Sequence, residues 1–270
     1  MEFDANLIEH ESVIRLSFFG GVLFLLLIAE RVWPDRTRVV PGIFRPALNL
    51  VIGALGSLAG RLLAPVAGVA AALYAAQEGI GLFNLLALPA WAVAVLGIAA
   101  LDLVIYFQHR IFHKVPMLWR LHAAHHSDPD IDATTALRFH PVEIGLSALV
   151  KAATVLALGI PASAVILFEI FLNACAMFNH ANLRLARPVD AVLSLFLITP
   201  RLHRIHHSVI VQEQNSNYGF SINLWDRLFG SFRRAPSLPL ITGMRDVPAS
   251  RTIDPLHVLI NGPFSRKGWH

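Results

Sequence analysis

The 270-residue sequence is 55% hydrophobic and only 15% charged, with a positive mean hydropathy, a composition outside the range of soluble globular domains. A net charge of +4, without any run of Lys and Arg interleaved with aromatics, argues against a nucleic-acid partner. The single cysteine, Cys175, excludes an intrachain disulfide and any cysteine-built zinc or iron–sulfur site.

A spanning helix needs about 20 apolar residues, and Val13 to Val32 supplies the first. Met1 to Arg15 has no basic n-region and no small-residue cleavage site follows, so the stretch reads as a retained anchor. A second stretch, Pro46 to Ala76, carries Gly56 and Gly60 at the spacing of close helix packing. Arg61 in its middle predicts either a side chain facing the bundle interior or a break in the helix. A third, Leu82 to Phe107, contains Asp102 and Tyr106 and runs straight into the first histidines, as one long helix that carries them out of the membrane. Ile144 to Leu158 and Ala162 to Phe178, separated by Gly159, Ile160 and Pro161, form a tight helical hairpin with Cys175 as packing. Val189 to Ile198 is too short to span and is buried or interfacial. Beyond about Pro200 polarity returns to ordinary values, placing the tail in water or at the lipid surface.

Arg31, Arg36, Arg38 and Arg45 lie between the first two spans, which puts that loop, and by alternation every histidine cluster, on the cytoplasmic side. The expectation is an all-α integral membrane helical bundle with a cytoplasmic helical cap that holds a dinuclear, histidine-ligated metal site. Residues 1–100 form its N-terminal transmembrane region, 101–232 its catalytic domain and 233–270 a C-terminal tail.

Ten of the 13 histidines fall between positions 109 and 207. His109 and His113 make an HxxxH; His122, His125 and His126 make an HxxHH, and His203, His206 and His207 a second. On a helix, positions i and i+4 share a face, so His109 with His113, His122 with His126, and His203 with His207 can each address one centre. Adjacent members of an HxxHH diverge by about 100°, so one can serve one metal and its neighbour a second. Imidazole accepts several metals, but eight to ten histidines exceed the needs of one tetrahedral zinc. His180 and His140 stand alone in sequence and are added as ligand candidates. Asp102, Glu143 and Asp226, with Asp128 and Asp132, are candidates to fix imidazole tautomers from behind. His10, His257 and His270 read as structural.

The stretches YFQHRIFH, LHAAHH, TALRFHPVE and LHRIHH, followed by NYGFSINLWDRLFGSF, resemble the fatty acid hydroxylase and sterol desaturase superfamily, particularly its bacterial members, from about Leu101 to Phe232. The resemblance implies a membrane-bound non-haem di-iron centre, in which zinc can stand after purification, that uses dioxygen to hydroxylate or desaturate a fatty acyl, sterol or related lipid. It carries the family's eight-histidine pattern onto His109, His113, His122, His125, His126, His203, His206 and His207. His180 matches an additional ligand and His140 falls in a family motif. Alkylglycerol monooxygenases share the NYG…WD…FG segment, but they carry Glu after the first box, where this chain has Lys114. With no fused haem domain evident, electrons come from a separate donor protein in a bacterial inner membrane. Phe168, Phe171, Met177 and Phe178 are candidates to line a lipid pocket beneath the metals. The tail contributes Asn215, Asn217, Tyr218, Trp225 and Phe229; its Tyr and Trp fit an interfacial belt or a substrate cap, the belt being preferred, with Asp226 orienting a histidine or pairing with Arg201 or Arg204.

Two rivals differ in class. A metal-ion transporter would place ionisable residues at mid-bilayer along a pathway, whereas these histidines follow the ends of spans. A zinc-dependent membrane hydrolase would need a carboxylate as general base, for which Glu143 and Asp128 are the candidates.

Overall fold

In the computed structural model, residues 2–64, 68–237, 239–245, 247–255 and 257–261 are described. Five helices are long and apolar enough to cross a membrane: α2 (Glu11–Val32), α3 (Phe44–Leu63), α6 (Ala90–Lys114), α8 (Pro141–Leu158) and α9 (Ala162–His180). They are joined by α1 (Glu2–Glu9), α4 (Val69–Gln77), α5 (Leu82–Leu85), α7 (Pro116–His126) and α10 (Arg187–Leu193), followed by α11 (Pro200–His206), α12 (Val211–Gln214) and α13 (Leu224–Leu228). Among the described residues there is no strand, only three isolated bridges, such as Pro34 with Leu183.

Proline sets the breaks that matter. Val115, Thr199 and His140 are extended before Pro116, Pro200 and Pro141, because the proline ring disfavours the helical region for the residue before it. Each proline then opens the next helix, where its missing N–H costs nothing. Thus α6 ends at Lys114 and α7 starts afresh, turning the second histidine group back over the first. The α8–α9 hairpin turns at Gly159, which closes α8 with φ +69°, a left-handed conformation that glycine adopts without steric cost.

The membrane core gathers small and branched residues from α4, α6, α8 and α9, with Ala71, Leu101, Val155, Ile160, Ile166 and Phe168 fully enclosed. Gly53 and Gly56 bring α3 close: a Cβ at Gly53 would lie 2.9 Å from Leu137, and one at Gly56 3.1 Å from Ile144 of α8. Outward, Val13, Leu16, Phe24, Leu25 and Ile28 of α2 are exposed, as lipid-facing side chains are.

The second apolar stretch is broken, with α3 ending two residues after Arg61, which is exposed rather than turned inward. α10 shows its apolar Val189 and Val192 outward while Asp190 is buried. The tail departs from its expected place at the surface. Val258 is fully enclosed against Leu48, Ile52 and Trp119, and the tail carbonyls of Thr252 and Leu259 accept from Arg138 and His140. Of the loop arginines, Arg45 is no free loop charge: it is buried and paired with Asp128 and Asp132.

Candidate metal centre

Nine histidines converge at the end of the bundle. His109, His113, His122, His126 and His206 form one group and His125, His180, His203 and His207 a second, with the ligand nitrogens of each group within 4.8 Å of one another. α6 supplies His109 and His113, α7 the central three, α9 its last residue His180, and α11 with the residue after it the last three. Adjacent members of each HxxHH go to different groups: His125 and His126 part, as do His206 and His207. The groups adjoin, the rings of His126 and His207 stacking at 4.3 Å.

Hydrogen bonds on the outer side fix the tautomers of four rings. Nδ1–H of His109 donates to the Tyr218 carbonyl at 2.7 Å, His122 to Oε1 of Glu143 at 2.7 Å, His180 to the Ala176 carbonyl at 2.6 Å and His206 to the Ser216 carbonyl at 2.8 Å. The three carbonyls, and Glu143 as a carboxylate, can take only a proton donor, so each Nε2 of a neutral ring carries a bare lone pair. Nε2 of His109 and of His122 then face each other at 3.0 Å, two acceptors with no proton between them. The Nε2 atoms of His180 and His125, and of His180 and His203, also stand 3.0 Å apart. Two nitrogens about 2.1 Å from one shared cation lie about 3.0 Å apart at a right angle and about 3.4 Å at a tetrahedral one. The donor set therefore fits a metal ion in each group.

Outside the spans, burial pushes His122 down to about 3. Burial first, and then neighbouring imidazoles, hold His125, His126, His203, His206 and His207 well below the usual range. All six are neutral at pH 7 and able to ligate.

A buried polar network holds α7 from behind. Arg138 donates from Nε to the Ala124 carbonyl (2.9 Å), and from its other nitrogens to Asn49 Oδ1, Ser127 Oγ and the Thr252 carbonyl. Asp128 accepts from Arg45 at 2.7 Å, Asn49 at 3.2 Å and Thr135 at 2.8 Å. Burial pushes its carboxyl up, but Arg45 and Arg138, together with the Thr135 and Asn49 hydrogen bonds, outweigh this and hold it below its usual value. Glu30, at the end of α2, accepts from the backbone N–H groups of Ala133 and Asn182, both at sites flanking the histidines.

Several candidates stand elsewhere than expected. His140 belongs to neither group: as the residue before Pro141 it is extended, its Nδ1 accepts from the Val142 N–H and its Nε2 donates to the Leu259 carbonyl. Asp102 accepts from Trp225 Nε1 at 2.8 Å and touches no imidazole; Asp128 and Asp132 serve the arginines. Asp226 pairs with neither Arg201, which takes Asp190, nor Arg204, which takes Asp35. It accepts instead from the N–H groups of Tyr218 and Gly219 and from Ser231, and so holds the carbonyl that receives His109. Tyr218 is no interfacial residue: it is buried, with its ring 5.2 Å from that of His113. Phe168 and Met177 are enclosed in packing, and Phe171 is exposed. His10 is exposed, His257 is buried, and His270 lies outside the described residues.

A family model described as fatty acid hydroxylase matches residues 94–231, just over half of the chain. Ornithine lipid hydroxylase OlsE from Rhizobium tropici is 31% identical over 66% of this chain and 53% of its own. Alkylglycerol monooxygenase from Homo sapiens is 30% identical over 65% of this chain and 37% of its own, and that from Danio rerio 34% identical over 56% and 33%. The chain thus spans about half the length of the first relative and about a third of the others. No solved structure matches.

Proposed function

The chain belongs to the fatty acid hydroxylase family, and on that premise we propose that it is a membrane-bound, dioxygen-dependent oxygenase that hydroxylates or desaturates a lipid with two iron ions. The observation that carries the reading is the inward set of Nε2 lone pairs, fixed by outer hydrogen bonds on His109, His122, His180 and His206. His113, His126, His125, His203 and His207 complete the two groups.

When bound, the irons would supply the reduction of dioxygen and the removal of hydrogen from the substrate. Hydroxylation combines one lipid C–H, dioxygen, two electrons and two protons into an alcohol and water; the electrons come from a separate donor protein. The chain binds the metals with neutral donors, which leaves the cationic charge uncompensated and favours their reduced state. It also keeps water away, since eight of the nine histidines are buried. The donor groups contain no carboxylate, so a hydrolytic zinc site would lack a base among them. The concentration of the arginine-rich loop and the histidines at one end of the spans fits a site on the cytoplasmic face of a bacterial inner membrane. Lipid analysis of a host lacking this protein, against the same host restored, tests the reading. A lipid lacking one oxygen atom, or one double bond, accumulates in the deleted strain and disappears on restoration; identical lipid profiles contradict it.

A further inference from the structure

Eight of the nine clustered histidines are buried; His113 alone is partly open. It opens onto a cavity of about 390 Å³ at the end of α6, lined also by Arg110, Lys114, Asn215, Tyr218 and Ser231. A volume of this order suits a small ligand or head group rather than a protein surface. The lining has two cations and no carboxylate. Among the described residues neither Arg110 nor Lys114 has an ion-pair partner, and the hydrogen bond found for Arg110 is a long one, 3.4 Å to the Tyr106 hydroxyl. Asp226 lies within electrostatic reach of Arg110, but its oxygens are engaged by Tyr218, Gly219 and Ser231.

The remaining polar groups are braced. Asn215 Oδ1 accepts from the Tyr218 hydroxyl at 3.0 Å, and the Ser231 hydroxyl, which donates to Asp226, meets that of Tyr106 at 2.7 Å. A guanidinium and an ammonium on consecutive turns of one helix face (i, i+4) converge on whatever fills the cavity, and charge-assisted bonds from both favour an anion.

We propose that this cavity receives the anionic head group, a phosphate or carboxylate, of the lipid substrate, so that the reacting carbon lies on or near the head group rather than deep in the acyl chain. The assignment rests on the oxygenase reading for the word substrate, but not for the binding itself. Arg110 and Lys114 are then specificity-determining residues that select anionic over zwitterionic lipids.

The test uses the full chain, iron-loaded in detergent, and titrates it calorimetrically with short-chain phosphatidylglycerol, short-chain phosphatidylcholine and inorganic phosphate. The wild type binds phosphatidylglycerol at least about tenfold more tightly than the other two, on the scale of one charged hydrogen bond. The double variant Arg110→Gln/Lys114→Gln loses that preference with its iron content unchanged, and the charge-keeping Arg110→Lys/Lys114→Arg retains it. Equal affinity for the two lipids, or a preference that survives the glutamine variant, overturns the proposal. Phosphate binding as tight as that of phosphatidylglycerol makes this a free-anion site and overturns it too. So does an unchanged lipid preference joined to slower reduction by the electron donor, which would assign the cations to a protein partner. Oxygen consumption measured on the same preparation separates a failure here from a failure of the oxygenase reading, because binding is read without turnover.

Discussion

Glu143 accepts the Nδ1 proton of His122 at 2.7 Å, and both side chains are buried. The carboxylate stands in the first turn of α8, reaching across to α7, so one contact fixes both the tautomer and the direction of the His122 Nε2 lone pair. Removing such an outer partner lowers metal affinity by about 10–100-fold. Glu143→Ala should fall in that range in iron titrations of the purified protein. Glu143→Gln, which keeps an acceptor oxygen, should lose less; equal losses in the two would deny the orienting role.

His125 and His206 belong to different groups, so each alanine substitution damages one centre. His125→Ala and His206→Ala should each retain about one iron in place of two and lose lipid oxidation, while His10→Ala, at an exposed position, loses neither. Metal analysis beside a turnover assay checks this, and full metal content in either cluster variant would refute the two-group assignment.

Arg138 is fully buried and donates to four groups behind α7. Arg138→Ala leaves Asp128 short of one of its two cations and Asn49, Ser127 and two carbonyls without a donor. Breaking a buried charge network from one side costs about 3–5 kcal/mol. The variant should show a markedly lower melting temperature in detergent and weakened iron binding; an unchanged melt would mean that the network relaxes freely.

Acid should destabilise the metal-free protein. His122, His125, His126, His203, His206 and His207 all have folded values below the ordinary one, burial being the largest cause. As pH falls below about 6.5 the unfolded chain takes up protons that the folded chain refuses, and each group costs up to about 1.4 kcal/mol per pH unit. Stability is therefore flat at pH 8 and drops steeply from about 6.5 downward, with metal loading shifting the drop to lower pH. Melting curves of the metal-free and iron-loaded forms between pH 8 and 5 check the sign.

The histidine spacing carried most of the site, because i and i+4 on a helix share a face whatever the tertiary fold. Its supports were hidden where they are backbone atoms: the carbonyls of Tyr218, Ser216 and Ala176 have no residue type to betray them. Asp226 acts on His109 only through the Tyr218 backbone, a relation set by tertiary folding. His140 had a visible clue, since a histidine before proline is extended and well placed to cap the helix that follows. Arg45 read as a loop charge because its partners, Asp128 and Asp132, lie more than 80 residues away. The spans were legible from apolar length alone, while the break after Arg61 showed in sequence only as one misplaced charge.

The most direct measurement loads the purified chain anaerobically with ferrous iron, counts the metal, then admits dioxygen with an electron donor and the host's lipid extract. Two irons per chain, with dioxygen consumed as a lipid gains one oxygen atom or loses two hydrogens, is the predicted result. A protein that acts on lipid with zinc alone and without dioxygen would contradict it.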